Sequence, residues 1–168
     1  DCLITLFDVT RNGSGPVTRL PTIPSKRHNM KGGGVGMRGI ASCLSLQPQQ
    51  ASTDGSLLAA GTWTRWVGLY DAGGLGGTVA NWSIASAADM TARISGAGVS
   101  QTLWSRCGRY LFVVERKSRG VLIYDIRVTG RLVGWLRGRA AETNQRLSVD
   151  VFGKAGGDDE STNKTEIW

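Results

Sequence analysis

The chain has 168 residues, 40% of them hydrophobic, which is enough for an ordinary domain with a sizeable core and too apolar for general disorder. Its formal net charge is +7, and between Arg93 and Arg146 there are 11 Arg or Lys against three acids (Glu115, Asp125 and Glu142), an excess that favours a polyanionic partner, RNA foremost. Three widely spaced cysteines (Cys2, Cys43 and Cys107) exclude a disulfide framework and fit a reducing compartment, so the sequons at Asn12, Asn81 and Asn163 carry little weight, and no apolar run approaches the ~20 residues of a membrane span.

In chain order, Leu3-Ile4-Thr5-Leu6-Phe7-Asp8 reads as a strand, and residues 1–10 as the end of a unit that begins earlier. Residues 11–38 form a basic, Gly-rich insertion. It holds the chain's one histidine, His28, beside Arg27 with no acid to orient it, which is poor material for a nucleophilic site. Gly34-Val35-Gly36-Met37-Arg38-Gly39 matches GxGxxG formally. A dinucleotide loop needs a strand before it and a helix after it, and a basic loop and a β-like run stand there instead.

Residues 39–90 form the first full unit. Gly39 to Leu46, Asp54 to Gly61 and Val67 to Asp71 are three short apolar runs divided by Gly and Asp turns, and Thr78 to Ile84 is a fourth. Residues 91–138 repeat the plan with Gly98 to Ser105, Cys107 to Val114, Gly120 to Asp125 and Arg131 to Leu136. Tyr70-Asp71 and Tyr124-Asp125 lie 54 residues apart, and Gly55 and Gly108 lie 53 apart, so the second unit is a copy of the first. Residues 139–168 form an incomplete unit. Gln145 to Val151 matches a first strand, Asp158-Asp159-Glu160 is an acid run without the spaced ligands of a calcium loop, a convincing second strand is missing, and Thr165 to Trp168 starts a further strand. The chain begins and stops inside strand-like segments, as a fragment or a truncated gene product would.

Four strands per unit with an aromatic-Asp pair ending the third is the pattern of a propeller blade. A four-stranded blade cannot bury both faces alone, so it must stack on neighbours. The expected fold is therefore all-β: a partial WD40-type β-propeller with about two complete four-stranded antiparallel blades and two incomplete ones. Tyr70, Asp71, Tyr124 and Asp125 are the structural blade motif, each Asp accepting hydrogen bonds in the turn that follows. Trp104 and Trp135 are assigned to packing between blades, and Arg127 to a structural role.

Arg65 lies in the loop before a third strand, and Arg116, Lys117 and Arg119 lie in the equivalent loop of the next unit. Such loops emerge on one rim of a propeller, where Lys and Arg neutralise phosphates and Arg adds bidentate bonds. Asn144, Gln145 and Arg146 enter the next first strand. They either read base edges or lock the turn in a hydrogen-bond network. No metal-ligand cluster is present, and no cofactor or small-molecule substrate is expected.

Three segments resemble a known family. Gly61 to Asp71 is similar to its GSYxRxxGLYD segment, Arg116 to Arg127 with Thr129-Gly130 to its RKSxGIxxWDIRxTG, and Thr143 to Asp150 to its TNQRIxFD. Together they resemble the telomerase Cajal body protein family, including its fungal relatives, over roughly residues 39–150. The resemblance implies a nuclear, non-enzymatic propeller that binds a short box in small Cajal body RNAs and telomerase RNA and escorts these particles, with fungal relatives linked to pre-mRNA splicing. Trp63, Trp66 and Tyr124 depart from the family pattern. The alternatives are a WD-repeat platform for protein partners without RNA, or a truncated product without independent function.

Overall fold

The short apolar runs pair into sheets because each alternates residues between two faces, and both faces find cover. In the computed structural model, which describes residues 3–23, 37, 39–48, 56–73, 76–153 and 165–167, four antiparallel sheets follow one another along the chain. Strands β1 (Leu3–Leu6) and β2 (Thr18–Pro21) form a hairpin, blade I. Blade II is a meander of β3 (Ala41–Leu46), β4 (Leu57–Thr62), β5 (Trp66–Asp71) and β6 (Gly77–Ser83). Blade III repeats it with β7 (Val99–Trp104), β8 (Tyr110–Glu115), β9 (Ser118–Asp125) and β10 (Leu132–Ala141). Blade IV is a pair, β11 (Val151–Gly153) with β12 (Thr165–Ile167). The architecture is a partial β-propeller.

The period of two decides which blade each side chain faces. In β4 and β5, Leu58, Ala60 and Tyr70 pack with Ile4 and Leu20 of blade I, while Ala59, Val67 and Leu69 turn the other way. There they meet Leu111, Val113, Leu122 and Tyr124 of blade III in the largest core cluster. In blade III, Phe112, Val114 and Val121 face onward to Val149. Tyr70 and Tyr124 therefore both point at the preceding blade and are fully buried. The ring of Tyr124 stacks tilted on Trp82 of blade II at 5.4 Å.

The inner strands β3 and β7 are tied by polar bonds as well. Ser45 Oγ and Thr102 Oγ1 lie 2.8 Å apart, Gln47 Nε2 donates to Gly108 O at 2.7 Å, and Trp104 Nε1 donates to Ser45 O at 3.1 Å. Gln101 continues the series toward blade IV. Its amide donates to Val149 O at 2.9 Å and accepts from Val149 N at 2.8 Å, standing in for a strand's backbone.

The structure differs from the sequence reading in five places. The segment 11–38, read as insertion, contains β2, which closes a hairpin on β1 and buries Leu20. A π-helix, Ala87–Ala92, fills the connection between blades II and III, because Ala88 and Ala92 offer one small apolar face to the core. Strand β10 runs to Ala141, past the boundary set at 138. The first strand of blade IV begins at Val151 rather than Gln145, and Thr165–Ile167 pairs back onto it as the second strand. Trp135 is 37% exposed on the outer strand, so of the two tryptophans only Trp104 packs between blades. His28, most of the Gly34–Gly39 stretch and the acid run Asp158-Asp159-Glu160 lie outside the described residues.

Candidate functional site

A meander places the turn between its second and third strands at the same end as the connection to the next blade. The turns after β4 and β8 thus share one rim with the connections before β7 and β11. This rim carries all the basic site residues expected from the sequence, but it uses them in two ways.

Arg65 is turned into the scaffold. Its backbone takes a left-handed conformation, φ +65°, as the turn closes through Arg65 N to Thr62 O at 3.2 Å. The guanidinium then spans three elements. Nε and Nη2 donate to Glu115 at 2.7 and 3.1 Å, and Nη1 and Nη2 donate to Asp89 at 2.7 and 2.8 Å. Four of its N–H groups are engaged, so Arg65 clamps blade II to the π-helix and to blade III and does not face solvent as a phosphate ligand. Glu115 is 1% exposed. Burial pushes its carboxyl up from the ordinary glutamate value, and the Arg65 bonds oppose this. The same guanidinium holds the Asp89 carboxyl below the ordinary aspartate range.

Arg116 and Lys117 face outward. The backbone of Arg116 is zipped to the neighbouring connection by Arg116 N to Gly98 O at 3.0 Å and Ala97 N to Arg116 O at 2.8 Å. Its guanidinium lies 3.5 Å from the ring centroid of Trp63, a half-exposed residue on blade II. Lys117, at φ +52°, is exposed at the tip of the turn. Arg119 is exposed and pairs with Glu142, which joins the third-strand turn to the next connection. Asn144, Gln145 and Arg146 are exposed on a turn whose backbone is held by Gln145 N to Thr143 Oγ1 at 3.0 Å and Leu147 N to Gln145 O at 3.1 Å. Arg139 supports this turn from β10, donating to the carbonyls of Glu115, Ser118 and Leu147.

At the opposite rim each blade motif caps its own turn. Asp71 Oδ1 accepts from Gly73 N at 3.1 Å, and Asp125 Oδ1 accepts from Arg127 N at 3.0 Å and from Arg127 Nε at 3.0 Å. These bonds to the Arg127 side chain and backbone pull the Asp125 carboxyl down to about 2.

The sequence reading missed Asp89, Glu115 and Arg139 as parts of the rim and did not assign Trp63 to it. Glu115 had a signal: it is an acid at the end of the apolar run Leu111-Phe112-Val113-Val114, where burial demands a cationic partner. Asp89 and Arg139 had none, since their roles depend on residues far along the chain. Among the described residues no group of three His, Cys, Asp or Glu is arranged to hold a metal ion, and no helix is long and apolar enough to cross a membrane.

No protein-family profile matches the chain. It is 34% identical over 129 residues, 74% of this chain, to the guanine nucleotide-binding protein negative regulator 1 of Schizosaccharomyces pombe, and it spans 29% of the length of that relative. Among solved structures it is similar to the β-propeller domain of Myceliophteria thermophila Cps50 (Swd1), with 22% identity, a TM-score of 0.45, and coverage of 62% of this chain and 27% of that one. Two meander sheets stacked through their inner strands, each with its third strand closed by a Tyr-Asp pair, give the chain the architecture of a partial β-propeller.

Proposed function

We propose that the chain is part of a non-catalytic scaffold whose rim binds RNA, in a nuclear ribonucleoprotein of the kind its resemblance to the telomerase Cajal body family implies. The observation that carries this reading is the pairing of Arg116 with the half-exposed Trp63, beside Lys117, with no carboxylate on either cation among the described residues. An aromatic face flanked by uncommitted cations suits a single strand, which offers bases to stack and phosphates to neutralise. Arg146, Asn144 and Gln145 extend the surface on the same rim. Arg65 enters only indirectly, by fixing the turn that presents Trp63.

The test is binding of single-stranded RNA by fluorescence anisotropy across a salt series. Replacing Arg116 and Lys117 by Glu lowers affinity and reduces the slope of log affinity against log salt by about 0.7 for each phosphate that is no longer neutralised. An unchanged slope counts against the assigned surface.

A second reading is a platform for a protein partner. It is favoured by the name of the S. pombe relative, which describes a regulator of a guanine nucleotide-binding protein. A complex that survives nuclease treatment and ignores the Arg116 and Lys117 changes supports it over RNA.

A further inference from the structure

Strand β10 is the outer edge of blade III and, among the described residues, pairs with β9 alone. Its ladder breaks near the rim. Arg137 opposes Gly120 and Ala141 opposes Ser118, so Gly138, Arg139 and Ala140 stand against the single residue Arg119. Gly138 carries the bulge at φ +103°, a backbone region that L side chains rarely adopt. The bulge opens a groove of about 510 Å³ lined by Arg93, Arg119, Arg137, Arg139 and Glu142 among others.

Four arginines thus line a groove that holds one carboxylate. Glu142 is committed to Arg119, and no carboxylate pairs with the other three among the described residues. Arg137 donates to Ala92 O at 2.8 Å, and Arg139 is bonded to carbonyl oxygens alone. Burial pulls the Arg139 guanidinium below its ordinary value, as expected of a half-buried cation without a counter-ion. Below the groove, Val133, Trp135 and Leu136 line the same free edge as exposed apolar side chains. A free strand edge invites pairing with an extended chain, and convergent arginines are the common means of holding a phosphorylated side chain.

We propose that this groove is a phosphate site, and that its occupant is a phosphorylated, extended segment of a partner protein which pairs with the edge of β10 and seats its phosphate among Arg93, Arg119 and Arg137. Strand pairing supplies sequence-tolerant affinity, the apolar residues take alternate side chains, and the arginines make binding depend on phosphorylation. The site is separate from the Trp63–Arg116 surface and does not need the RNA reading to hold.

The test uses the 168-residue chain and a labelled peptide of alternating Thr and Val with one phosphoserine, placed at either end to allow both strand directions. The phosphorylated peptide in one direction binds on the order of tenfold more tightly than its unphosphorylated form. The exposed change Arg93→Glu removes that difference while the urea unfolding midpoint stays put, and Arg137→Glu removes it too, with a small fall in midpoint from the lost bond to Ala92 O. Methylating alternate backbone nitrogens of the peptide weakens binding, because the edge can no longer pair. Equal affinity with and without phosphate, or indifference to both variants, overturns the phosphate site. Indifference to N-methylation overturns the strand pairing. Single-stranded RNA that binds the wild type more tightly than the phosphopeptide, and loses this in Arg93→Glu and Arg137→Glu, overturns the protein occupant.

Discussion

Blades II and III are copies in sequence, yet they close against their neighbours with different materials. The middle of blade II is thin, with Ala59, Ala60, Gly61 and Gly68 on β4 and β5, whereas blade III sets Phe112, Val113, Val114 and Leu122 at the matching places. Their rims diverge in the same way. Blade II turns its basic residue inward, where Arg65 is held by Glu115 and Asp89, while blade III leaves Arg116 and Lys117 outside. Position within a repeat therefore fixes where a side chain starts, and the partners supplied by the next unit decide whether it becomes scaffold or binding surface.

The comparison breaks most sharply at Arg65. Arg65→Ala strands a carboxylate that is 1% exposed, and removing one member of a buried pair costs about 3 kcal/mol or more. Arg119→Ala, at an ion pair exposed on both sides, leaves the urea midpoint unchanged. The loss at Arg65 also depends on pH. A carboxyl whose folded value is raised contributes most to stability below the ordinary 4.5 of glutamate, and that contribution is lost as pH rises through the folded value. The Arg65→Ala penalty is therefore larger at pH 7 than at pH 4, where Glu115 takes up a proton. Equal midpoint losses for the two arginine variants would show that the clamp contributes no more than a surface pair.

That contrast marks what a single sequence can and cannot show. The strands of blades II and III were legible because Leu57-Leu58-Ala59-Ala60 and Leu111-Phe112-Val113-Val114 need cover on both faces, and Gly and Asp punctuate them. The blade motif was legible for the same reason, as Tyr-Asp recurs at a constant offset. Strand β2 was not, since Thr18-Arg19-Leu20-Pro21 buries one side chain of four and is defined by its pairing with β1. The helix had a faint signal in Ile84, Ala88 and Ala92, spaced four apart, but alanines weigh little in an apolar pattern. The rim's basic residues could be placed together, because loops of successive blades share an end. Which of them remain free could not be read, because the partner of Arg65 lies 50 residues further on.

A second difference is steric. Gly61 of blade II matches Val114 of blade III, and the two positions are sensitive to volume in opposite senses, the first to an added methyl and the second to methyls removed. A Cβ at Gly61 would lie 2.4 Å from Val99 Cγ1 and 2.7 Å from Cys43 Sγ. Gly61→Ala therefore overpacks the junction of the inner strands and costs about 1–3 kcal/mol. Val114→Ala removes methyls from a fully buried site and costs roughly 1–2 kcal/mol through the cavity it leaves. Urea unfolding of both variants checks the pair, and a neutral Gly61→Ala would mean that β3 and β7 yield more easily than their hydrogen bonds suggest.

The smallest expected effect lies at the opposite rim and sharpens the comparison of the two Tyr-Asp motifs. Asp71 caps its turn through Gly73 N at 3.1 Å. Asp125 has the same backbone bond and adds the Arg127 guanidinium, which together hold its carboxyl at about 2 against the ordinary 3.8. For a carboxyl whose folded value is depressed, the stability it contributes is complete above the ordinary value and is lost as pH falls toward the folded one. Blade III should therefore contribute an acid-sensitive component between about pH 4 and pH 2 that depends partly on Arg127. Arg127→Ala keeps the backbone bond and removes the guanidinium, so its urea midpoint falls less steeply over that interval than that of the wild type. Parallel curves for the two proteins would mean that the backbone amide alone sets the Asp125 carboxyl.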